Sequence, residues 1–466
     1  MQYDLIVIGS GPGGYRAAVL AAQRGLKVGI VEKAEWGGCG LNRGCIPKNA
    51  WHHSAKLIAA SRGYTKRGIQ GIQGALSGDL TQAWEHQKKM VKAVRDSYIC
   101  TMKQLRIAGF AAQAAFVDAH SITLDGRDCL SSQHFIVATG SSTFVPKPFH
   151  LIENKVLTSD ELFNQTPPIG KRVAIVGSGA VATEFSFILA MLGKEITWIS
   201  QNPALAHSSF SPAALKLLME KFKHYGIEPK VGSRPEAVEI LPEGVKLILQ
   251  GGAEAVVDWV LLGTGRRPHT SALNLDAAGV NTDSKGYIKV NEYLQTAQPN
   301  IYAIGDVANQ RMSANQALAD AQIAVANMLQ AESRKQDRSA VPELVCSAVE
   351  LGRVGLNGAA ENKDPAIGLA TFEHNPRALG QDAVDGYVRL VADAHSGVLL
   401  SGEATGPDAG ELVHLIAQHY GQPNALQHLA QAYYSHPARA EEIFTAAAEI
   451  AAKLSQQLPQ QVIHNG

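Results

Sequence analysis

Cysteine is scarce in this chain, with five residues among 466, an odd number widely spread. That excludes a disulfide framework of the secreted kind and sets the expectation of a reducing, cytoplasmic setting. Net charge is lacking too. The 42 basic residues cancel the 42 acidic ones, so no nucleic-acid and no membrane partner is expected. Nowhere does the sequence hold the ~18 uninterrupted apolar residues of a membrane helix. The opening Met1-Gln2-Tyr3-Asp4 has no basic stretch, and glycines break the apolar run behind it. A first β-strand is expected there, not a secretory signal. The composition is that of an ordinary globular protein, 45% hydrophobic and 18% charged, with a length that suits roughly three domains.

Two of the few cysteines nevertheless stand close together, in Gly37-Gly38-Cys39-Gly40-Leu41-Asn42-Arg43-Gly44-Cys45-Ile46-Pro47-Lys48-Asn49. Close thiols in a glycine-rich stretch point to a redox couple or a metal site. No histidine or further cysteine lies at ligand spacing within the stretch, and what precedes it favours redox chemistry. Leu5-Ile6-Val7-Ile8 reads as a buried strand, followed by Gly9-Ser10-Gly11-Pro12-Gly13-Gly14, a helical run and a second strand ending in Glu32. This is the dinucleotide fingerprint in its strand–turn–helix context. Gly9 makes the turn, Gly11 lets the backbone approach a pyrophosphate, Gly14 permits close helix packing, and Glu32 is placed for ribose hydroxyls.

Residues 62–78 are glycine-rich and read as a loop. Asp79 is expected to cap a long amphipathic helix reaching about Ile107, with Trp84, Met90, Val91, Val94, Tyr98 and Met102 along it. Cys100 on that helix, like Cys129 and Cys346, is expected to be a buried small hydrophobe.

The middle of the chain repeats the beginning. After His134 to Val137 and Ala138-Thr139-Gly140, the strand Arg172–Val176 runs into Gly177-Ser178-Gly179-Ala180-Val181-Ala182, a helix and a further strand. Two dinucleotides are therefore expected. Ser200, followed by Gln201 and Asn202, stands where the first unit has Glu32, so neither the acid that favours NAD nor the arginine that favours NADP is present. The choice between NAD and NADP stays open, and His207 reads as a surface histidine. Further on, Gly265-Arg266-Arg267-Pro268 closes a strand and turn, and Ile304-Gly305-Asp306 puts an acid at a strand tip. Asp306 suits a ribityl hydroxyl or a helix cap. A polar run from Glu332 to Ser339 reads as a linker.

Taken in order, these segments, with Tyr434-Ser435-His436-Pro437 and Glu441, resemble the flavoprotein pyridine nucleotide–disulfide oxidoreductases of class I. The C-terminal part, with Gly406-Pro407-Asp408-Ala409-Gly410-Glu411-Leu412 and Arg377-Ala378-Leu379, is most similar to the dihydrolipoamide dehydrogenase branch. The resemblance implies an α/β fold with two Rossmann-like domains and an α+β C-terminal domain. These would be an FAD-binding domain of residues 1–149 and 264–335, an NAD(P)-binding domain of 150–263, and a dimerisation domain of 341–466. It implies FAD, NAD or NADP, and a homodimer. Cys45 would be the flavin-facing thiolate and Cys39 the thiol exchanging with substrate. His436 would be the base and Glu441 its orienting acid, both reaching the disulfide of the partner subunit. Cofactor contacts would come from Gly9, Gly11, Gly14, Glu32, Lys48, Thr139, Gly140, Gly177, Gly179, Ala182, Glu184, Gly265, Arg266, Gly305 and Asp306, with Glu184 near the nicotinamide. The substrate would be a dihydrolipoyl group on a carrier protein, or else a small disulfide reduced from NADPH.

The departures from this family cluster at the redox stretch. Five residues separate Cys39 from Cys45, Gly40 occupies the usual cysteine position, and Lys48 and Asn49 replace the usual Ser-Lys. A disulfide needs Cα atoms within ~7 Å, whereas residues six apart on one helix rise ~9 Å. Cys39 is thus expected on non-helical backbone. Three readings follow: a remodelled working disulfide in a specialised paralogue, a pair tuned to another partner or potential, and an impaired flavoprotein kept for binding or structure.

Overall fold

In the computed structural model, residues 2–457 are described apart from 72, 73, 75, 357 and 359–364. Three residues of the expected 62–78 loop and the end of the expected 341–466 domain therefore lie outside the described residues. The chain divides into two compact units, Met1–Ala206 with Pro229–Gln336, and His207–Glu228 with Asp337–Gly466. The break at 336/337 falls inside the polar run 332–339.

The first unit holds two open, largely parallel sheets. In one, strand β1 (Gln2–Ile8) lies between β2 (Val28–Glu32) and the strand Asp128–Val137, parallel to both, with Leu5 opposite Val28 and Ile8 opposite Val31. Both faces are covered, by helices Pro12–Ala22 and Ala314–Leu329 on one side and by short strands and the turn Leu275–Ala278 on the other, so Leu5–Ile8 is an unbroken apolar run. Leu5 and Val7 pack into one hydrophobic cluster, and Ile6 and Ile8 into another on the opposite face. Ile301–Ala303 joins the far side of 128–137, and two short antiparallel strands, 114–118 and 121–124, extend the edge. The other sheet runs 229–231, 195–200, 172–176, 259–262, 156–158, all parallel. Each sheet's innermost strand feeds a glycine turn and then a helix, α1 (Pro12–Ala22) in the first sheet and Ala180–Met191 in the second. The fold class expected from the sequence is thus present, a mixed α/β chain with two Rossmann-like halves.

The second unit is built on a five-stranded antiparallel sheet, in the order 343–346, 350–355, 399–405, 387–393, 365–371. Helices Ala409–Ala417, Ala425–Ala430 and Glu441–Gln457 accompany it, and its core includes Leu390, Phe372, Val413, Ile443 and Ile450. The helix Pro212–His224 belongs to this unit, although it lies within the segment 150–263 expected to form one nucleotide domain. Its cap explains why. The Ser211 amide and hydroxyl both donate to the buried Glu403 carboxylate, at 2.8 and 2.6 Å, and Tyr387 donates to the same group at 2.8 Å. Burial, followed by the charge of Glu403, pushes the Tyr387 phenol up, so it stays a donor.

Between the two sheets' glycine turns lies the cysteine stretch. It forms α2 (Gly38–Asn42), then α3 (Cys45–Ser61), with α4 (Leu80–Gln104) further on. Asp79 caps α4 by accepting from Gln82 at 2.9 Å, as its sequence suggests, and the helix stops at Gln104. Two of the three remaining cysteines contradict the expectation of burial. Cys100 and Cys129 are exposed, while Cys346 is buried. Cys100 lies two residues before the buried Met102, which places it about 200° round the helix. Cys129 precedes the buried Leu130 and takes the other face of its strand.

Candidate active site

Close approach of backbone to backbone fixes the first glycine turn. A Cβ on Gly14 would fall 1.9 Å from the Gly9 carbonyl oxygen, and one on Gly9 would fall 2.4 Å from that of Ala138. Gly9 itself has φ of 102°, a left-handed value suited to glycine. Gly11 is different: a Cβ there meets nothing within 4 Å, because the position faces a cavity. Glu32 is buried at the end of β2. It accepts from the Ser10 amide (2.9 Å), the Ser10 hydroxyl (2.7 Å) and the Ala34 amide (3.0 Å). A carboxylate has about four acceptor positions, so one remains for the cavity that Glu32 lines. The Ser10 hydroxyl in turn accepts from the Gly37 amide at 3.0 Å. Turn, acid and cysteine stretch are thereby joined.

Cys39 sits on α2 and not on the non-helical backbone expected for it. The expectation failed because it treated the stretch as one helix. The helical path breaks at Arg43 (φ −139°, ψ 9°) and Gly44 (φ −132°, ψ −120°), and Cys45 opens a second helix. Asn42 braces α2 by donating to Gly38 and Trp36 carbonyls at 2.9 and 3.0 Å, while its own oxygen accepts from Arg95 at 2.5 and 3.1 Å. The helix lies flush on the glycine turn. A Cβ on Gly38 would sit 2.7 Å from Gly11 Cα, and one on Gly40 would sit 2.6 Å from Pro12 Cγ. The position usual for the family's first cysteine therefore has no room for a side chain.

Both thiols line one cavity of about 310 Å³, together with Glu32, Thr139, Arg266 and Asp306. Burial pushes the Cys39 thiol up to about 11, with Arg266 the strongest opposing influence; Asp160 pushes it up and Arg43 down. Cys45 is open to the cavity but walled by protein. Burial raises its thiol as well, against the pull of Lys48. Lys48 is itself paired with Glu184 at 2.9 Å, both largely buried, so the displaced lysine still meets the predicted glutamate. Asp306 lies in the short turn Gly305–Val307 and does not cap the following helix, whose cap is Ser313. It accepts from the Ser141 hydroxyl at 2.5 Å, and burial holds its carboxyl above the ordinary range. Thr139 donates to the His269 carbonyl at 2.7 Å, and Gly140 accepts from the His269 amide at 2.9 Å.

Arg266 is the hub of this wall. Its Nε donates to Ser141 Oγ at 2.8 Å, and Nη2 donates to the Ser141 carbonyl at 2.9 Å and lies 3.5 Å from Cys39 Sγ. Its Nη1 is 3.5 Å from Asp160, whose Oδ1 is 4.0 Å from the same sulfur. Ser141 and Asp160 were not singled out from sequence. Asp160 sits in the first turn of a six-residue helix capped by Thr158 and Glu161, and that capping pattern is the only signal it carries.

The second glycine turn repeats the first. A Cβ on Gly177 (φ 136°) would be 2.3 Å from the Gly263 oxygen, Gly179 caps its helix and faces open space, and Ala182 packs against Gly263. Gly265 (φ 103°) accepts from the Phe144 amide at 2.8 Å. Ser200, where an acid would select NAD, is buried with a hydroxyl that makes no hydrogen bond among the described residues. His207 is exposed, as expected.

In the second unit, His436 and Glu441 meet as expected. His436 Nδ1 is 3.0 Å from Glu441 Oε2, and Glu441 Oε1 accepts from the Ala438 amide at 2.6 Å. That amide, then the histidine, holds the carboxyl below its ordinary range. His436 is 67% exposed, which leaves its other ring nitrogen accessible.

Cavity-facing glycines without side chains, an acid with a free acceptor position and an orphaned buried hydroxyl at the second turn all fit dinucleotides. Paired with two thiols, they define a class, the disulfide oxidoreductases that work through two dinucleotides. Comparison with known proteins gives the family. Residues 3–321 match the pyridine nucleotide-disulphide oxidoreductase family and 341–447 its dimerisation domain. The sequence is 33% identical to dihydrolipoyl dehydrogenase of Thermus scotoductus over 453 residues, covering 96% of each chain. It is 30% identical to that of Chlamydia muridarum, covering 94% of this chain and 95% of the relative. The solved structure of LpdA from Mycobacterium tuberculosis superposes with a TM-score of 0.89 at 23% identity, over 96% of this chain and 99% of that one. The chain belongs to the pyridine nucleotide–disulfide oxidoreductase family. It is an FAD-containing, NAD(P)-dependent flavoprotein disulfide oxidoreductase of the dihydrolipoyl dehydrogenase type, and its dimerisation domain supports a homodimer.

Proposed function

We propose that this enzyme oxidises a dihydrolipoyl group carried on a protein, using Cys39 and Cys45 as its redox pair. The observation that carries this reading is the convergence of both thiols on the cavity of the first glycine turn. Gly11 and the α1 N-terminus would hold the FAD pyrophosphate, Glu32 a ribose, and Asp306 the ribityl chain. FAD, when bound, supplies the two-electron link to the nicotinamide. Residues 1–149 with 264–335 would form its domain, 150–263 without the helix Pro212–His224 the nicotinamide domain around Gly177, Gly179 and Ala182, and 341–466 the dimer contact. The reaction is placed in the cytoplasm because the five scattered cysteines suit a reducing setting.

The protein's part is thiol exchange. A substrate thiol gives its proton to the partner subunit's His436, and the resulting thiolate attacks Cys39 Sγ of the Cys39–Cys45 disulfide. The S–S bond breaks, and Cys45 leaves as a thiolate beside Lys48. The second substrate thiol then gives up its proton and attacks the substrate sulfur of the mixed disulfide; the substrate disulfide closes, the bond to Cys39 breaks, and the proton passes to the expelled Cys39. The substrate is oxidised by two electrons and the cysteine pair reduced by two.

Anaerobic titration of the oxidised enzyme with a dithiol tests this. Wild type should take up two equivalents and develop a long-wavelength thiolate–flavin band, and Cys39→Ser should take up one. Equal uptake by both would remove Cys39 from the pair. The displaced cysteine also suggests a specialised paralogue whose lipoyl partner lies outside the common 2-oxoacid dehydrogenase complexes. Turnover with free dihydrolipoamide should then exceed turnover with the lipoyl domain of such a complex, and equal rates refute it. With neither an NAD-selecting acid nor an NADP-selecting arginine at Ser200, a second reading stays open, a small-disulfide reductase run from NADPH, which comparison of NADH with NADPH in both directions separates.

A further inference from the structure

We infer that Arg266, held in place by Asp160 and Ser141, is the counter-ion of the Cys39 thiolate, a role that the displacement of this cysteine to position 39 creates. The proposal rests on the reading of Cys39 as the substrate-facing thiol and adds a residue to that chemistry. When the second substrate thiolate attacks the substrate sulfur of the mixed disulfide, an S–S bond forms within the substrate, the bond to Cys39 breaks and the electron pair stays on Cys39 Sγ. The negative charge then appears 3.5 Å from Arg266 Nη2. No backbone rearrangement is needed, because the guanidinium is already fixed. Ser141 accepts from it twice, at 2.8 and 2.9 Å, and the strand carrying Arg266 is paired with the strand carrying Ser141. A preorganised cation in a wall this enclosed acts more strongly than one in water, since its side chain is only 18% exposed.

The groups facing Cys39 from the surrounding elements are Arg266, Asp160, Arg43 and Cys45. Their signs differ. Arg266 and Arg43 favour the thiolate; Asp160 and Cys45 oppose it. Asp160 is therefore double-edged: it positions Arg266 at 3.5 Å, yet its carboxylate, 4.0 Å from the sulfur, disfavours charge there. Burial works against the Arg266 charge, while Cys39, Asp160 and Asp306 hold the guanidinium above its ordinary value. The balance leaves the resting thiol protonated and stabilises the thiolate only relative to an uncharged wall.

The pH dependence of Cys39 alkylation in the reduced holoenzyme reads this directly. Lys33, Arg43 and Lys48 are tryptic sites, so peptide 34–43 reports Cys39 and peptide 44–48 reports Cys45 as an internal reference. With iodoacetamide, Arg266→Gln should slow Cys39 labelling about tenfold at fixed pH and move its midpoint up by about one unit. Asp160→Asn should move the midpoint down and speed labelling several-fold, and Arg266→Lys should fall between Gln and wild type. Opposite signs for the two neutralised partners are the signature; a merely structural role moves both the same way. An unchanged profile in Arg266→Gln, or shifts of one sign in both variants, overturns the proposal. If Arg266→Gln does not fold, Asp160→Asn decides alone, since an upward or absent shift is equally fatal. Failure of the underlying reading looks different: Cys39→Ser would then keep full dithiol uptake, whatever the alkylation profile.

Discussion

Gly14→Ala should yield a chain that neither retains FAD nor melts near wild type. The added Cβ would lie 1.9 Å from the Gly9 carbonyl oxygen and 3.1 Å from Ala138 Cβ. The Gly9 carbonyl cannot retreat, because Gly9 is itself wedged against Ala138 and donates to Val31 at 2.8 Å. Relief requires moving α1 off β1, and overpacking of that kind costs about 3 kcal/mol or more. Gly11→Ala is the control. Its Cβ meets nothing within 4 Å, so the protein should fold with a melting temperature close to wild type and lose only flavin affinity, because the methyl group enters the cavity. Thermal melts and the flavin-to-protein absorbance ratio separate the two. Equal losses for both would mean that packing at the turn is not what Gly14 provides.

His436→Gln should lower kcat/KM for dithiol oxidation by about 10²- to 10⁴-fold, the range typical of removing a positioned general base. Reduction of the flavin by the nicotinamide should change little, since that half-reaction needs no proton taken from a thiol. The histidine is oriented by Glu441 at 3.0 Å, and Glu441 is anchored by the Ala438 amide at 2.6 Å. Glu441→Gln keeps the shape but not the charge, so its loss should be smaller than that of His436→Gln. Stopped-flow separation of the two half-reactions gives the answer. A uniform slowing of both would assign His436 to stability and not to proton transfer.

The parts legible in the sequence were those set by local rules. Glycine turns, the acid at the end of β2 and the His436–Glu441 pair each declare themselves within a few residues, and short apolar runs beside the glycine turns located the two parallel sheets. Asp79 was readable as a cap because an N-cap needs only its own helix. What escaped was decided by distant neighbours. Ser141 and Asp160 lie 125 and 106 positions from Arg266 in the chain, and only the pairing of strands 141–143 and 266–268 brings Ser141 to it. Cys100 was misjudged because an apolar neighbourhood along α4 does not say which side of the helix is covered. Cys39 was misplaced for a different reason. Its geometry depends on a helix break at Arg43–Gly44, and Gly44 there adopts φ −132°, ψ −120° without any turn motif to announce it.

The seat of α2 on Pro12 constrains how this spacing could ever be undone. Restoring four residues between the cysteines takes two substitutions, a cysteine at 40 and its removal from 39. With the ring of Pro12 2.6 Å from where that Cβ would be, the first substitution meets a ring whose Cδ is tied to the backbone, and the second alone leaves no exchanging thiol. The clash persists in the double substitution as well, so the path stays closed unless position 12 changes first. The unusual spacing is in this sense an evolutionary ratchet, and the residue that locks it belongs to the nucleotide turn, not to the redox stretch.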